Sequence, residues 1–409
     1  MSVDNLQHML ESNFLEWISN LSNQRRIDAL STNSKKALSR LLKSEINSTP
    51  TFDLRDKFEK DLYAFDINLN QIVSEILATK FGVNGVDSLH KADVGFFACR
   101  PSIYELENIQ ETLQKNGYCS SPIFLDHEQL DLLVDGLKKQ IFKTKGIQKY
   151  ALTGNQIFES SSKKGSPPTD DGDTYWLDDM DQLARDPLFI KLAFDPYIID
   201  VATRYLGCPP IHVQTNAWFS FPGKVSKNNL SMNGQLFHQD KEFVKFFKVF
   251  IYLSDVKPAQ GPHCYIEGSH HDELHLKGVP LSGRVSDNDI GKYYDKNRIK
   301  TVVGSAGSIL FGDTSCVHKG CAVTSGMRVM LQLEYASSLY LSPTTPFSDF
   351  NDPEGVLDQY PSQFSHRLIS SYNSEHRKLF QKYHELRLED RKKITFKGRL
   401  AKLKQYLLK

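Results

Sequence analysis

The segment QLFHQDKEF (235–243) is one of eight short runs of β-branched and aromatic residues that follow one another between residues 211 and 336. Gly, Pro and Asn turns separate the runs, and this pattern is typical of an antiparallel β-sandwich or jelly roll. The other seven runs are IHVQTNAWFSF (211–221), FKVFIYL (247–253), HCYIEG (263–268), IKTVV (299–303), SILFG (308–312), HKGCAV (318–323) and RVMLQLEYA (328–336).

Helical patterns flank this predicted core. Residues 1–95 place apolar side chains at helical spacing and contain no chemical motif, so they predict a helical N-terminal extension. The sequence returns to helical patterns after Ser342. We therefore expect an α+β protein with an extension at 1–95, a jelly-roll domain at 96–342 and a C-terminal helical segment at 343–409.

Two further segments have readable local structure. From Glu111 onward the sequence predicts a helix, a Gly turn, a short strand that ends near Leu125, and a second helix capped by Asp126. Residues 154–177 are rich in Gly, Ser, Pro and Asp, which favours a long loop. Long loops of this kind often act as lids, so we expect this one to help shape a pocket.

The composition is that of an ordinary globular protein. Lys and Arg number 50 against 49 Asp and Glu, so no overall field attracts nucleic acid. The start lacks a signal sequence and no apolar run is long enough to span a membrane, which predicts a cytoplasmic protein. Six scattered cysteines without a CxxC pair predict reduced thiols rather than disulfides or a zinc site.

The C-terminal stretch 391–409 is basic and carries an apolar stripe formed by Leu400, Leu403 and Leu407. An amphipathic basic helix can lie on a membrane surface or on an acidic partner. The alternative is a solvated terminal helix packed against the core.

His238 and Asp240 stand two residues apart, and on a strand this spacing points both side chains to the same face. His318 begins another predicted strand, which a jelly roll can bring beside the first pair. Two histidines and one carboxylate form a facial triad that leaves coordination positions open, as in non-haem iron(II) oxygenases.

Arg328 strengthens this interpretation, because an HxD pair alone carries little weight in a chain with 13 histidines. It lies ten residues after His318 on the next strand, where its guanidinium can reach the far end of a cosubstrate bound to the metal. An Arg fork matches a carboxylate with two hydrogen bonds, so it suits the distal carboxylate of 2-oxoglutarate.

From about residue 106 to 338 the sequence resembles the phytanoyl-CoA dioxygenase-like branch of iron(II)/2-oxoglutarate oxygenases. The resemblance rests on NGY, RYLG, FHQD, YLSDV, GPHCYIEGSH and ILFGD, and on the spacing from the distal histidine to the arginine. It implies a cupin-like double-stranded β-helix, with iron(II) held by His238, Asp240 and His318 and 2-oxoglutarate held by the iron and Arg328. It also implies dioxygen as the oxidant and hydroxylation of a small-molecule or carrier-linked substrate as the default outcome.

Two positions depart from the family pattern. Many relatives carry a serine two residues after the distal histidine as a second cosubstrate contact, and this chain has Gly320 there. Relatives also often have an inward tryptophan on the strand after HxD, where Phe250 aligns. These departures affect the secondary contacts of the cosubstrate.

Strand alternation adds further candidates. His212, Gln214 and Asn216 share one face of their predicted strand, and a polar face needs partners that a ligand cavity can supply. Gln214 and Asn216 are therefore candidates for cosubstrate or substrate contacts, with structural hydrogen bonding as the alternative. If Phe250 points inward then Lys248 does too, and it would bind an anionic or polar group of substrate or cosubstrate unless it reaches water.

Two other functions stay open for the same residues. One is a catalytically silent jelly-roll binding module, against which the intact triad and arginine argue. The other is a zinc hydrolase with the same three ligands, in which Arg328 would have no role. His263, His270, His271 and His275 could suggest a second metal, but we prefer a structural turn. The sequence does not identify the substrate, since loop composition does not reveal a ligand.

Overall fold

The computed structural model of the chain describes residues 20–46, 67–81, 95–97, 99–144, 150–164, 174–223, 227–272, 284–352 and 354–382. Its strands, numbered here along the chain, form two antiparallel sheets. The predictions for the first helix of the N-terminal extension and for the basic stretch 391–409 lie outside the described residues.

Eight strands form the larger sheet. They are β1 (Tyr118–Ser120), β2 (Ile141–Thr144), β3 (Ala151–Thr153), β4 (Thr174–Leu177), β5 (Ile211–Ser220), β6 (Phe246–Tyr252), β9 (Ile309–Gly312) and β11 (Arg328–Ala336). Their order across the sheet is β1–β9–β6–β11–β5–β4–β2–β3. The long central strands β5, β6 and β11 coincide closely with three of the predicted runs, because β-branched and aromatic side chains fit a sheet buried on both faces.

The smaller sheet contains β7 (His263–Ile266), β8 (Ile299–Val302) and β10 (His318–Gly320), in the order β10–β7–β8. Isolated bridges extend it: His238 pairs with His318, and Phe237 pairs with Val285. The QLFHQDKEF run therefore joins the smaller sheet through single bridges rather than as the regular strand that was expected.

Helices cover the outer face of the larger sheet, where Phe219, Val249 and Leu331 belong to one apolar cluster with helical residues such as Ile198 and Leu206. The helices are α1 (Leu21–Ala29), α2 (Thr32–Ile46), α3 (Ile67–Phe81), α4 (Ile103–Asn116), α5 (His127–Lys138), α6 (Gly154–Lys164), α7 (Met180–Arg185), α8 (Pro187–Ala193), α9 (Pro196–Leu206), α10 (Lys227–Met232), α11 (Asp287–Ile290) and α12 (Ser362–Leu368). Short 3₁₀ turns occupy Pro258–Gln260, Ser269–His271, Lys296–Arg298 and Val356–Gln359, and residues 374–382 are helical. None of the described helices combines the length and the apolar character needed to cross a membrane.

A second apolar cluster lies between the two sheets. Its members from the larger sheet are Trp218, Phe250, Tyr252, Leu310 and Met330, and those from the smaller sheet include Tyr265 and Val302. Two antiparallel sheets that face each other across a packed interior, with helices outside, confirm the predicted α+β double-stranded β-helix. The inner face of the larger sheet is the one that carries Phe250, as expected.

Strand β5 contains an irregularity that the alternation rule could not anticipate. Consecutive residues Glu334 and Tyr335 of β11 lie opposite Gln214 and His212, so Val213 is an extra residue in β5. A bulge of this kind reverses the side on which later side chains emerge. The expectation that His212 shares a face with Gln214 was therefore wrong: His212 points outward and its Nδ1 bonds the Tyr372 hydroxyl at 2.7 Å.

The prediction of a long loop at 154–177 was also wrong in part. Helix α6 and strand β4 occupy both ends of this segment, and residues 165–173 lie outside the described part. Thr153 starts the helix, because its side chain accepts from the Gln156 backbone N–H while the Gln156 side chain accepts from the Thr153 N–H. Strand β4 pairs with β5 and β2 in the larger sheet.

The flanking helices contact the jelly roll directly. Asn70 of α3 donates to the Val244 carbonyl at 2.6 Å, and Arg367 of α12 donates to the Ser337 carbonyl just after β11. The division into three domains stays a prediction. The six cysteines are free thiols, four of them buried, in agreement with the expected absence of disulfides.

The predicted order of elements from Glu111 is confirmed. Helix α4 ends at Gly117 in the left-handed region, strand β1 follows, and Asp126 caps α5 by accepting from the Gln129 backbone N–H. Strand β1 ends at Ser120, earlier than expected.

Gly117 and Gly207 offer a matched pair of substitutions. Both end a helix with φ values of 82° and 75°, but a Cβ on Gly117 would lie 2.6 Å from Cys316 Sγ, whereas a Cβ on Gly207 would meet nothing within 4 Å. We expect Gly207→Ala to lower the free energy of unfolding by about 1–2 kcal/mol through backbone strain alone. Gly117→Ala should cost about 1–3 kcal/mol more because of the added overlap. Urea denaturation measures both, and equal losses would contradict the packing described at Gly117.

Candidate metal centre

The backbone brings the two histidines of the predicted triad together. The His238 N–H donates to the His318 carbonyl at 2.9 Å, and the His318 N–H donates to the His238 carbonyl at 2.8 Å. Two residues further, the Asp240 N–H donates to the Thr314 carbonyl at 2.8 Å. Side chains of a directly opposed antiparallel pair share a face, so both imidazoles point the same way, and their ring centroids are 4.4 Å apart.

The side chains of His238, Asp240 and His318 place their potential ligand atoms within 4.8 Å of one another. His238 Nε2 lies 3.5 Å from one carboxylate oxygen of Asp240, and His318 Nε2 lies 3.7 Å from the other. These separations are those of atoms that can bind one ion between them. It is the one group of three such residues found among the described residues.

Backbone carbonyls select the form of each imidazole that binds metal. His238 Nδ1 lies 2.8 Å from the Leu236 carbonyl oxygen, and His318 Nδ1 lies 2.9 Å from that of Cys316. A carbonyl can only accept, so each Nδ1 must carry the hydrogen and each Nε2 is left with a free lone pair. Both ring orientations are therefore fixed before an ion arrives.

Burial keeps both histidines neutral. Desolvation, followed by the proximity of His318, lowers the pKa of His238 to about 3. Desolvation also lowers the pKa of His318. Burial opposes ionisation of Asp240, but the charge of the Lys248 ammonium beside it acts in the opposite direction, and the pKa of this carboxyl lies well below its ordinary value. Neutral imidazoles and an ionised carboxylate are the protonation states that metal binding requires.

Lys248 points into the interior as expected, but its charge partners are protein carboxylates, not the predicted substrate or cosubstrate. An anionic or polar group of the substrate or cosubstrate was the expected partner. In the structure Lys248 Nζ lies 2.9 Å from Asp240 Oδ2, 2.9 Å from Glu242 and 3.8 Å from Glu334. A carboxylate has two oxygens, so Asp240 can offer one to an ion and the other to Lys248. A substrate or cosubstrate anion is not needed to neutralise Lys248.

Glu242 and Glu334 were missed by the sequence reasoning. Glu334 is fully buried and lies directly opposite Lys248 across β11 and β6. Burial, followed by the nearby Glu242 carboxylate, raises the pKa of Glu334 well above its ordinary value. Strand alternation could have identified it, because Glu334 follows Arg328 by an even number of residues and therefore shares its face.

Arg328 begins β11 opposite Ser220 and is buried, with 3% of its surface exposed. Nη1 donates to the Gly261 carbonyl and Nη2 donates to the Ser220 hydroxyl at 3.2 Å, while Nε has no partner. Among the ion pairs of the described residues, none contains Arg328. Burial lowers the pKa of Arg328, which shows the cost of a charge without a counter-ion.

The departure at Gly320 lies beside this guanidinium. A Cβ on Gly320 would be 3.6 Å from both Nη atoms of Arg328, which is an ordinary contact distance. Arg328 is therefore adjacent to β10, two residues from His318. A serine would fit at Gly320, so the space that the relatives fill with a hydroxyl is present here.

The remaining candidates lie on the inner face near the centre. Gln214 Oε1 accepts from the Gln332 amide, and Asn216 Oδ1 accepts from the Ala217 backbone N–H at 2.8 Å. Phe250 packs against His263 with ring centroids 4.2 Å apart. Both amides are half-buried and already have protein partners, so their roles toward a ligand stay predictions.

The other histidines considered for a second metal have structural partners. His270 and His271 both bond the Gln114 carbonyl through Nε2, at 3.0 and 2.6 Å, and thereby tie the 3₁₀ turn to α4. His263 is buried beside Phe250 and Tyr252. His275 lies outside the described residues.

A double-stranded β-helix with a His-Asp-His cluster and a buried arginine defines a class of metal-dependent proteins. The family model for phytanoyl-CoA dioxygenase (PhyH) matches residues 113–330, more than half of the 409-residue chain. The protein belongs to the phytanoyl-CoA dioxygenase family. The resemblance found in the sequence is thus confirmed.

Solved structures provide further, distant matches. The non-heme alpha ketoglutarate dependent carbocyclase SnoK from nogalamycin biosynthesis is 18% identical, with 57% of this chain and 83% of that chain covered and a TM-score of 0.37. The epimerase SnoN from the same biosynthesis is 18% identical, with 57% of this chain and 84% of that chain covered and a TM-score of 0.38. EctD from S. alaskensis with bound Fe is 16% identical, with 60% of this chain and 78% of that chain covered and a TM-score of 0.37. No curated protein matches the sequence significantly.

Lys248 provides a test of the charge arrangement. Lys248→Met would leave the half-buried Asp240 and Glu242 carboxylates without their cation, so we expect the metal-free protein to lose about 2–3 kcal/mol of its free energy of unfolding, less than a fully buried pair would cost. A divalent ion should recover part of this loss, because it replaces the missing positive charge.

Lys245→Met is the matched control, since the Lys245 ammonium donates to the Tyr205 carbonyl at 2.6 Å rather than to a carboxylate. Its loss should be smaller and should not respond to metal. Thermal or urea denaturation with and without Zn²⁺ gives both values. Equal losses in the two variants would show that the carboxylate contacts of Lys248 do not matter.

Proposed function

We propose that this protein is an iron(II)- and 2-oxoglutarate-dependent oxygenase that hydroxylates a C–H bond of a small-molecule or carrier-linked substrate. His238, Asp240 and His318 would hold iron(II), and Arg328 would bind the distal carboxylate of 2-oxoglutarate. The proposal is supported by the family membership and by the chemistry of the residues around the triad.

The donor set fits iron(II). Two neutral imidazoles and one ionised carboxylate supply three ligands on one side of an ion and leave the other positions for cosubstrate and dioxygen. The Nδ1 hydrogen bonds of the two histidines and the Lys248 contact of Asp240 hold these ligands in place.

The observation that carries the proposal is the buried Arg328 guanidinium without a counter-ion. Its Nε has no partner, and it lies beside β10, which begins with His318. A buried cation is costly unless an anion accompanies it. A dicarboxylate that reaches from the triad to Arg328 would satisfy both sites at once, and 2-oxoglutarate has this chemistry.

When bound, iron(II) would activate dioxygen, which is the oxidant, while 2-oxoglutarate would supply two electrons and leave as succinate and CO2. The protein's residues bind, orient and exclude water. Arg328 and Ser220 would fix the far carboxylate, while Phe250, Trp218 and Tyr265 surround the interior with apolar surface. Gln214 and Asn216 are half-buried on the same inner face and remain the candidates for polar contacts with cosubstrate or substrate.

The two alternatives, a zinc hydrolase and a silent binding module, explain fewer of these features. A hydrolase with the same three ligands has no use for a buried arginine without a counter-ion. A silent module would not need the fixed tautomers of both histidines. Desaturation, epoxidation and ring formation at the same centre stay open, because the outcome depends on how the substrate is placed.

Iron and cosubstrate binding test the triad. Anaerobic addition of iron(II) and 2-oxoglutarate should produce the weak visible charge-transfer band of a chelated complex. His238→Ala and His318→Ala should each abolish the band, because each removes one ligand. His212→Ala is a suitable control, since this buried histidine lies on the opposite face of the larger sheet. A band that persists in both folded triad variants would refute the ligand assignment.

Cosubstrate affinity tests Arg328. Arg328→Ala should raise the KM for 2-oxoglutarate strongly, since loss of a buried charge-assisted pair costs about 2–5 kcal/mol. Arg328→Lys should recover only part of this loss, because an ammonium cannot form the two parallel hydrogen bonds of a guanidinium. Gly320→Ser should keep or improve the affinity, because its hydroxyl would lie next to Arg328. Succinate formation at varied 2-oxoglutarate measures all three, and an unchanged KM in both Arg328 variants would remove this residue from the site.

A further inference from the structure

Arg284 lies next to the metal centre, a position that no sequence motif indicated. Phe237 and Val285 exchange backbone hydrogen bonds at 3.0 and 2.9 Å as an antiparallel pair. One residue along, His238 and Arg284 therefore lie opposite each other, and opposed side chains of an antiparallel pair share a face. That face is the one from which His238 meets His318.

The Arg284 side chain is exposed, unlike Lys248 and Arg328. Partial burial lowers its pKa, and the Asp240 carboxylate acts in the opposite direction. Its charge also contributes to lowering the pKa of His238 and His318, so it acts on all three members of the triad. In the part of the chain that the structure describes, Arg284 has no hydrogen-bond or ion-pair partner through its side chain.

If iron(II) and 2-oxoglutarate were bound, Arg284 would still have no counter-ion. A divalent ion would be balanced by Asp240 and the near carboxylate of 2-oxoglutarate, and Arg328 by the far carboxylate. Lys248 already has the Glu242 carboxylate at 2.9 Å. Among the described residues facing the centre, Arg284 is the cation that remains, and it is the one that solvent can reach.

We infer that Arg284 binds an anionic group of the substrate, a carboxylate or a phosphate, at the mouth of the metal centre. This inference rests on the proposed function, because it names the chemical class of the molecule that the same centre would oxidise. An exposed guanidinium beside the triad can both attract an anion and orient it with two hydrogen bonds, so the group that is oxidised would lie a short distance from the anion. The cationic role that the sequence assigned to Lys248 thereby passes to Arg284.

A pair of fluorinated probes tests the site without knowledge of the substrate. Trifluoroacetate is the anion and trifluoroacetamide its neutral counterpart of similar size. Both are titrated into the full-length protein loaded anaerobically with iron(II) and saturating 2-oxoglutarate, at low ionic strength, and ¹⁹F line broadening by the paramagnetic ion is measured. Trifluoroacetate should broaden saturably, and trifluoroacetamide should not.

Arg284→Gln should weaken the binding of trifluoroacetate by about tenfold, since each tenfold change corresponds to about 1.4 kcal/mol and an exposed charge pair contributes about 1 kcal/mol or somewhat more. Arg298→Gln is the matched control, because this arginine of the neighbouring 3₁₀ turn already pairs with Asp272 at 2.8 Å. It should leave the titration unchanged. Equal broadening by acid and amide, or equal affinity in wild type and Arg284→Gln, would overturn the inference.

Two readouts separate this inference from the proposed function. If Arg284→Gln raises the dissociation constant of 2-oxoglutarate and leaves trifluoroacetate unaffected, the residue serves the cosubstrate and the inference is wrong. If the wild-type protein lacks the iron and 2-oxoglutarate band, the proposed function fails. The ¹⁹F titration of the metal-free protein, compared with Arg284→Gln, then still shows whether Arg284 binds an anion.

Discussion

The metal centre depends on one backbone pair, in which His238 and His318 exchange two hydrogen bonds of 2.9 and 2.8 Å. The two residues are eighty positions apart in the sequence. The Phe237–Val285 bridge and two single backbone hydrogen bonds, from Asp240 to Thr314 and from Gly320 to Gly234, support the same segment. The His238–His318 pair sets the spacing of the two rings, and the carbonyls of Leu236 and Cys316 set their tautomers. The ligands are consequently arranged before a metal binds, which lowers the ordering cost of binding.

Two buried cations near this pair differ in whether the protein supplies a counter-ion. Lys248 has carboxylates at 2.9 Å on two sides and is neutralised by the protein itself. Arg328 donates only to the Gly261 carbonyl and the Ser220 hydroxyl, which are both neutral, so no described residue neutralises its charge. Because desolvated charges are costly, this difference supports the proposal that Lys248 holds a metal ligand and that Arg328 binds the cosubstrate.

Periodicity predicted much of this fold and site. Strand alternation along β6 predicted that Lys248 shares the face of Phe250, because this strand is regular and buried on both faces. The same rule failed at His212, since one extra residue in β5 reversed the alternation. Composition failed at the two ends of 154–177, where the structure has helix α6 and strand β4 instead of a loop.

Other features depend on pairings between segments that are remote in sequence. Arg284 lies beside His238 only because Val285 pairs with Phe237, and no local pattern encodes that bridge. The contact of Lys248 with Asp240 could have been considered, but the sequence argument assigned the carboxylate one partner and overlooked its second oxygen. Glu334 was visible by alternation and was missed because a buried carboxyl has no motif.

An anaerobic crystal structure with iron(II) and 2-oxoglutarate, phased on the anomalous signal of iron, tests the central claim most directly. The account predicts one iron bound by Nε2 of His238, Nε2 of His318 and a carboxylate oxygen of Asp240, with the far carboxylate of 2-oxoglutarate on Arg328. Iron held by other residues, or a far carboxylate bound away from Arg328, would contradict it.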